Sequence, residues 1–247
     1  MSFVSNRERA DNVRRMFTRI SDRYDRINRL MTFGLDRHWR RETIRALHLR
    51  PGERLLDIGT GTGDLAFEAL RQHQQTRVIA CDFTPAMIRL GQARSVDRQI
   101  LWVIGDARAL PFPPNSFHAV VSGFLLRNVV DLTSALEEQA RILTSEGRIA
   151  SLDTSPPQPG PLKPLLLLYL RWILPAFGRW IAGDEPAYRY LPETTRAFVS
   201  AAELARIFQA CGFMQVGFVR RMLGIIAIHW GVKRTQDDPA MAPVKTG

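Results

Sequence analysis

The run Leu55-Leu56-Asp57-Ile58-Gly59-Thr60-Gly61-Thr62-Gly63-Asp64-Leu65 restricts this chain more than any other stretch. An apolar segment of β-strand character ends in alternating glycines and then opens an amphipathic helix. That is how an open α/β sheet seats a nucleotide-type cofactor. Without Cβ atoms, Gly59 and Gly61 let the backbone turn sharply and approach a ligand closely. The alternative, an ordinary Gly-rich turn, does not explain why a strand and a helix flank the run.

The spacing narrows the ligand. A dinucleotide site uses G-x-G-x-x-G with a pyrophosphate on the helix N-terminus, whereas this run is G-x-G-x-G and its helix opens on Asp64. A carboxylate there repels phosphates. Together with Asp57 it suits a cofactor that carries an ammonium and a sulfonium, because opposite charge nearby favours the cationic form. S-adenosylmethionine meets that description and NAD does not.

Downstream the pattern alternates. Strands are expected at Arg54–Gly59, Arg77–Asp82, Leu101–Asp106, Phe117–Phe124 and Gly147–Asp153, with helices at Asp64–Gln72, Pro85–Arg94 and Leu132–Leu143. Such alternation means right-handed βαβ units and a mostly parallel sheet whose ligands sit at the carboxyl ends of the strands. After a helix at Ala201–Cys211, Phe213–Arg221 and Gly224–Val232 read as two strands joined by a very short turn, an antiparallel hairpin at one sheet edge. The expected fold is therefore a Rossmann-like α/β sheet of seven strands, mostly parallel with the last antiparallel, as in class I methyltransferases.

The organisation beyond the sheet is read as a helical N-terminal segment 1–50, a main domain 51–233 and a disordered tail 234–247. In the first segment, Asn12–Leu30 is a basic amphipathic helix and Arg37–Leu47 a second one. An insertion at 155–195 is Pro-rich and then strongly apolar. Lys163, Arg171, Arg179 and Pro175 interrupt it, so it reads as a cap over the active site rather than a membrane span.

Charge and cysteines bound the partners. Thirteen Arg against six acids in residues 1–50 place seven of the ten net positive charges there, a patch that seeks polyanions or an anionic bilayer surface. A nucleic-acid enzyme is disfavoured, because no Asn/Asp-Pro-Pro-Tyr/Phe motif occurs and no aromatics interleave with the basic run. Cys81 and Cys211 stand apart from any Cys/His cluster, so no metal site is expected, and both read as reduced and buried in a cytoplasmic protein. A homo-oligomer is compatible with the sequence, which does not decide it.

Asp82 closes the second strand, 23 residues beyond Gly59, where an acid takes ribose hydroxyls; a helix N-cap is the alternative. Asp106 with Ala107 follows the third strand and could accept from an adenine amino group; the alternative is a turn. Arg127, near the carboxyl end of the fourth strand, and Asp153, ending the fifth, complete the polar set. His229 reads as structural.

Several stretches together resemble the ubiquinone/menaquinone biosynthesis C-methyltransferases, over nearly everything from Val13 to Lys233. They are Phe17-x-x-Ile-Ser-x-x-Tyr24-Asp25-x-x-Asn28, Met31 to Gly34 with Trp39-Arg40-Arg41, the glycine run, Ala109-Leu-Pro-Phe112, Leu126-Arg127-Asn128-Val129, Tyr188-Arg-Tyr-Leu191 and Gly224 to His229. The resemblance implies that Thr62, Asp82, Asp106 with Ala107, and Gly123 contact S-adenosylmethionine. It also implies methylation of a ring carbon of a polyprenylated quinol such as demethylmenaquinol. Another small hydrophobic substrate is the competing reading. On the family reading Arg127 is the cation beside the ionised ring oxygen, Asn128 positions the ring, and Asp153 takes the hydroxyl proton, with Tyr24 and His38 as further candidates. The 162–182 stretch with Met16, Phe17 and Met31 would line a channel for the tail, and the basic helix would hold the enzyme at the inner face of the membrane. The chain departs from the family pattern at Gly123 (often Ser), Leu125 (Gly) and His118 (Asp).

Overall fold

The computed structural model describes residues 15, 18, 29, 32–95, 99–157, 168, 194–235 and 245–246. Most of the Asn12–Leu30 helix, Tyr24, most of the 155–195 cap and the Tyr188–Leu191 motif lie outside the described residues. Among the described ones, strands β1 (Arg54–Ile58), β2 (Arg77–Asp82), β3 (Ile100–Ile104), β4 (Phe117–Gly123), β5 (Leu143–Thr154), β6 (Phe213–Arg221), β7 (Ile226–Lys233) and β8 (Lys245–Thr246) form one sheet. Their order is β3-β2-β1-β4-β5-β7-β6-β8. The β1–β2, β1–β4, β2–β3 and β4–β5 pairs are parallel, and β7 runs antiparallel to both β5 and β6. The expected sheet with its edge hairpin is therefore present. Lys245 and Thr246 add a short parallel pairing to β6, so at those two residues the chain departs from the expected disordered tail; an otherwise unpaired strand edge offers them hydrogen bonds.

Helices α1 (Asp36–Ala46), α2 (Asp64–Gln72), α3 (Pro85–Arg94), α4 (Leu132–Ile142) and α5 (Ala201–Ala210) cover the two faces. On one face Leu56, Val120 and Ile149, aligned across β1, β4 and β5, pack with Leu136, Leu204 and Phe208. On the other, Leu55, Ala119, Val121 and Ala150 pack with Ile44, Leu47, Leu65 and Ala69. Burial on both faces is why these strands read as continuous apolar runs rather than alternating ones. Helix α1 crosses the second face lengthwise. Its Ile44 and the following Leu47 lie by Leu55 and Ala119 at the strand starts, while Trp39 packs on Leu152, Ile226 and Ile228 near the end of β5. The N-terminus of α1 therefore reaches the same end of the sheet as the glycine run.

Most boundaries fall within a residue or two of the sequence reading, and three differences have a local reason. Strand β3 stops at Ile104 because Gly105 donates to the Asp82 carbonyl at 3.1 Å and Asp106 then folds the chain into a turn. Strand β5 begins at Leu143, which pairs with Phe117 ahead of a register shift. The β6–β7 connection is longer than expected, since Met222–Gly224 form a 3₁₀ turn with Leu223 at φ +54° and Gly224 at φ +90°. His118, the departure from the family pattern on β4, is accommodated by its Nδ1, which accepts from the Arg54 N–H at 3.1 Å.

Candidate active site

The glycine run makes the bend between β1 and α2 at the carboxyl end of the sheet. Gly59 (φ +63°) has Leu125 against it, so a Cβ there would sit 2.8 Å from Leu125 Cδ1. Leu125 at the family's glycine position thus fills the space that Gly59 leaves. Gly61 (φ +58°) has no atom within 4 Å of where its Cβ would be, so its backbone opens onto free space. The bend is tied to β2: Thr60 N donates to the Cys81 carbonyl at 3.1 Å, and Gly61 N donates to Asp82 Oδ2 at 2.8 Å.

A cleft of about 410 Å³ of non-protein space lies over this bend, lined by Arg40, Asp57, the bend residues, Asp64, Leu65, Gly123, Phe124 and Leu152. At its floor Asp57 is fully buried. Its Oδ2 accepts from Thr60 Oγ1 at 2.6 Å and from Ala66 N at 3.0 Å. The second bond supplies a cap for α2, whose N-cap residue Gly63 has no side chain. Asp57 Oδ1 is buried without a partner. Burial pushes the Asp57 carboxyl up to about 7, against the Thr60 and Ala66 hydrogen bonds and the Arg40 charge.

This has a pH consequence. A carboxyl whose folded pKa is raised from 3.8 to about 7 contributes stability that is complete below about 3.8 and lost as pH rises through 7. His229 works in the opposite sense. It is buried, its Nε2 is 2.8 Å from the Ala201 carbonyl, and it stacks on Phe218. Burial depresses it to about 4, so its contribution is lost as pH falls from 6.5 toward 4. Asp57→Asn is therefore expected to gain about 4 kcal/mol relative to the parent chain between pH 4 and pH 7.5, in the absence of ligand. Urea denaturation at the two pH values checks this; an equal stability difference at both would refute it.

Asp64 is not the free carboxylate that the sequence pattern suggests. Its Oδ2 is 2.6 Å from Arg40 Nη1 on α1, and its Oδ1 is 2.7 Å from Arg94 Nη2 at the end of α3. Burial raises its pKa, but the Arg40 and Arg94 charges outweigh that and hold it below the usual range. Arg94 also donates to Thr62 Oγ1 at 2.7 Å and to the Thr62 carbonyl at 3.0 Å, so the bend is fastened from a helix that the sequence did not implicate.

Asp82 is partly buried, and its carboxylate takes Gly61 N at 2.8 Å and Thr84 N at 2.7 Å. It bridges the bend to the start of α3 while keeping lone pairs for a ligand. Asp106 fills the turn role: it accepts from Arg108 N at 2.9 Å and pairs with the Arg108 guanidinium at 2.7 Å, with Ala107 buried beside it. The Arg108 side chain pulls its pKa below the usual carboxylate range against desolvation. Gly123 lines the cleft, and a Cβ there would meet Leu65 Cδ1 at 2.8 Å.

The structure brings Arg127 and Asp153 together. Read separately in the sequence as a cation and a proton acceptor, they are each other's partner in a buried ion pair, Nη1 to Oδ1 at 2.7 Å. Asp153 Oδ1 also accepts from Thr154 N at 2.7 Å, and its Oδ2 from Arg127 N at 3.3 Å. Arg127 lies against the Phe124 ring at 5.1 Å, and Asn128 Nδ2 donates to the Phe124 carbonyl at 2.8 Å. These contacts fix Phe124–Asn128 beside the cleft. His38 is exposed, 3.4 Å from Glu42, which itself pairs with Arg221. Tyr24 lies outside the described residues.

The donor set fits S-adenosylmethionine. An unpartnered buried carboxylate oxygen at the floor suits a cation, an open glycine backbone permits close approach, and an acid ends β2. Residues 4–233 match the model of the ubiE/COQ5 methyltransferase family. The chain is 42% identical to the ubiquinone/menaquinone biosynthesis C-methyltransferase UbiE of Desulfotalea psychrophila, over 90% of each chain. It is 40% identical to a demethylmenaquinone methyltransferase of Roseiflexus castenholzii, over 92% of this chain and 95% of that one. Among solved structures, a SAM-dependent methyltransferase of Thermotoga maritima superposes with a TM-score of 0.61 at 18% identity, over 89% of this chain and 99% of that one, a likeness of fold.

Proposed function

The chain belongs to the ubiE/COQ5 methyltransferase family, and from that premise we propose that it methylates a ring carbon of a polyprenylated quinol, of the demethylmenaquinol type. S-adenosylmethionine-dependent C-methylation in quinone biosynthesis is the activity that membership carries. The observation that carries the cofactor reading is the buried, unpartnered Asp57 Oδ1 beneath a glycine bend that opens onto the cleft. When bound, the cofactor supplies an electrophilic methyl group on a sulfonium centre. Asp57, Gly59, Gly61 and Thr62 would hold its methionyl side, Asp82 its ribose, and Asp106 with Ala107 and the Gly123 backbone its base and the cleft wall.

The substrate's redox state follows from charge. A quinone ring is electron-poor, so the nucleophile is the reduced hydroquinone, preferably ionised. With a phenol pKa of about 10, ionisation at pH 7 costs roughly 4 kcal/mol. Because the Arg127 charge is matched by Asp153, the geometry favours a positioning role for the pair: Arg127 packs on Phe124, which lines the cleft, and Asn128 is bonded to the Phe124 carbonyl. With Asp153 so engaged, Tyr24 is left as the expected group for the ring hydroxyl proton. Segments 1–50 and 155–195 cover the mouth of the 51–233 domain on this reading.

The substrate's tail is lipid-soluble, which calls for peripheral membrane contact. Among the described residues no helix is long and apolar enough to cross a membrane. Instead Phe33, just before α1, is 69% exposed, and Leu223, in the β6–β7 turn, is 58% exposed. Both lie at the end of the sheet where β5 terminates, and Arg29 and Arg37 are exposed nearby in sequence. This supports an apolar edge with basic flanks that docks on an anionic bilayer. Replacing both Phe33 and Leu223 by Ser should weaken binding to anionic vesicles about tenfold or more in a sedimentation assay. Unchanged binding would remove that edge from the interface.

The substrate reading is tested by supplying reduced benzoquinols and naphthoquinols side by side with methyl-deuterated cofactor, followed by mass spectrometry of the products. A deuterated methyl on a ring carbon of the reduced naphthoquinol is the expected result. Transfer to oxygen, to the oxidised quinone, or to neither ring would refute it.

A further inference from the structure

Of the described residues that line the cleft, Arg40 is the sole basic side chain. It comes from α1, not from the sheet or its loops, and its Nε is buried without a hydrogen-bond partner. Its remaining contacts are to carboxylates: Nη1 to Asp64 Oδ2 at 2.6 Å and Nη2 to Asp36 Oδ2 at 3.5 Å.

The cofactor's methionyl end carries two positive groups, ammonium and sulfonium, and one carboxylate. The cleft offers Asp57 and Asp64 to the former, and a single cation to the latter. We propose that Arg40 takes the methionyl carboxylate of the cofactor and that Asp64 serves as its holding partner until then. This rests on the cofactor reading above and extends it to a residue that reading left out.

The surroundings permit the exchange without stranding Asp64, and the buried Asp36 keeps its counter-charge as long as Arg40 Nη2 stays toward it. Asp64 keeps Arg94 at 2.7 Å if Arg40 turns to a ligand. Asp36 keeps Thr32 Oγ1 at 3.1 Å. A planar guanidinium with an unused Nε–H can also accept a second carboxylate side-on while retaining the first. Arg40 thereby links occupancy of the cleft to α1, the helix whose N-terminus reaches the mouth.

The test uses titration calorimetry on the full chain with two ligands. S-adenosylhomocysteine carries the carboxylate, and 5′-methylthioadenosine lacks the whole amino-acid moiety. Arg40→Ala is expected to weaken adenosylhomocysteine about 30-fold, the loss of one charge-assisted pair, and to change methylthioadenosine by less than about twofold. Arg40→Lys, which keeps the charge and so the pairs with Asp64 and Asp36, guards against a misfolded Ala variant. It should lose several-fold on adenosylhomocysteine alone, because an ammonium cannot replace the fork. Equal losses on both ligands mark a structural role and overturn the proposal, as does unchanged adenosylhomocysteine binding. If the parent chain binds neither ligand, the cofactor reading itself fails, an outcome distinct from failure at Arg40.

Discussion

Arg127→Ala should lower folding stability by about 3–5 kcal/mol and the melting temperature by about 10 °C. The replacement leaves the Asp153 carboxylate in an enclosed position at 1% exposure, held by two neutral backbone N–H groups, Thr154 N at 2.7 Å and residue 127 N at 3.3 Å, with no counter-charge. Removing a partner from a buried pair costs far more than the pair is worth against an apolar substitute, because the surviving charge has lost its compensation without regaining water. The double replacement Arg127→Met with Asp153→Leu should therefore recover most of the loss. Both are read by urea denaturation monitored by circular dichroism. A single-variant loss below about 1 kcal/mol would mean that Asp153 reaches water, contrary to the enclosed pair described. Activity separates two roles: if Arg127 only positions Phe124–Asn128, the double variant keeps cofactor affinity and loses turnover through a raised KM for the quinol.

Asp82→Ala is expected to weaken adenosylhomocysteine binding about 100- to 1000-fold, against at most about tenfold for Asp106→Ala. The contrast follows from what each carboxylate holds. Asp82 ties Gly61 N and Thr84 N together, so its removal frees the bend as well as deleting the proposed ribose acceptor. Asp106 is engaged with Arg108, and its loss disturbs one turn at the end of β3. Stability should fall only by about 1–2 kcal/mol in the Asp82 variant, since two backbone N–H groups at a partly open site can be rehydrated. Titration calorimetry on both variants decides this, and equal losses would place the ribose elsewhere.

What the sequence reveals and what it hides divide along contact distance. The elements from Arg54 to Arg94 are legible because each strand ends in a glycine, an acid or a Pro-marked turn, and because Asp64 and Pro85 open helices in adjacent units. Asp57 and Gly61, which line the cleft, and Asp82, which is bonded to Gly61 N, belong to those turns and are legible for the same reason. Arg40 is not, since its partner Asp64 lies 24 residues away on another helix and the pairing exists only once α1 packs on the sheet. Arg94, at the far end of α3, is hidden likewise. The Arg127–Asp153 pair spans 26 residues, yet it had a signal: opposite charges just beyond the end of β4 and near the end of its parallel neighbour β5 lie at the same end of the sheet. Reading each residue for its own chemistry obscured that the nearest counter-charge is the other.

The central claim is that the bend between β1 and α2 seats a sulfonium cofactor and not a dinucleotide. Equilibrium dialysis of the purified chain with labelled S-adenosylmethionine tests it most directly. Saturable uptake at one site, displaced by adenosylhomocysteine and indifferent to an excess of NAD, is the predicted result. Uptake of NAD by a chain that ignores both adenosylmethionine and adenosylhomocysteine would contradict it.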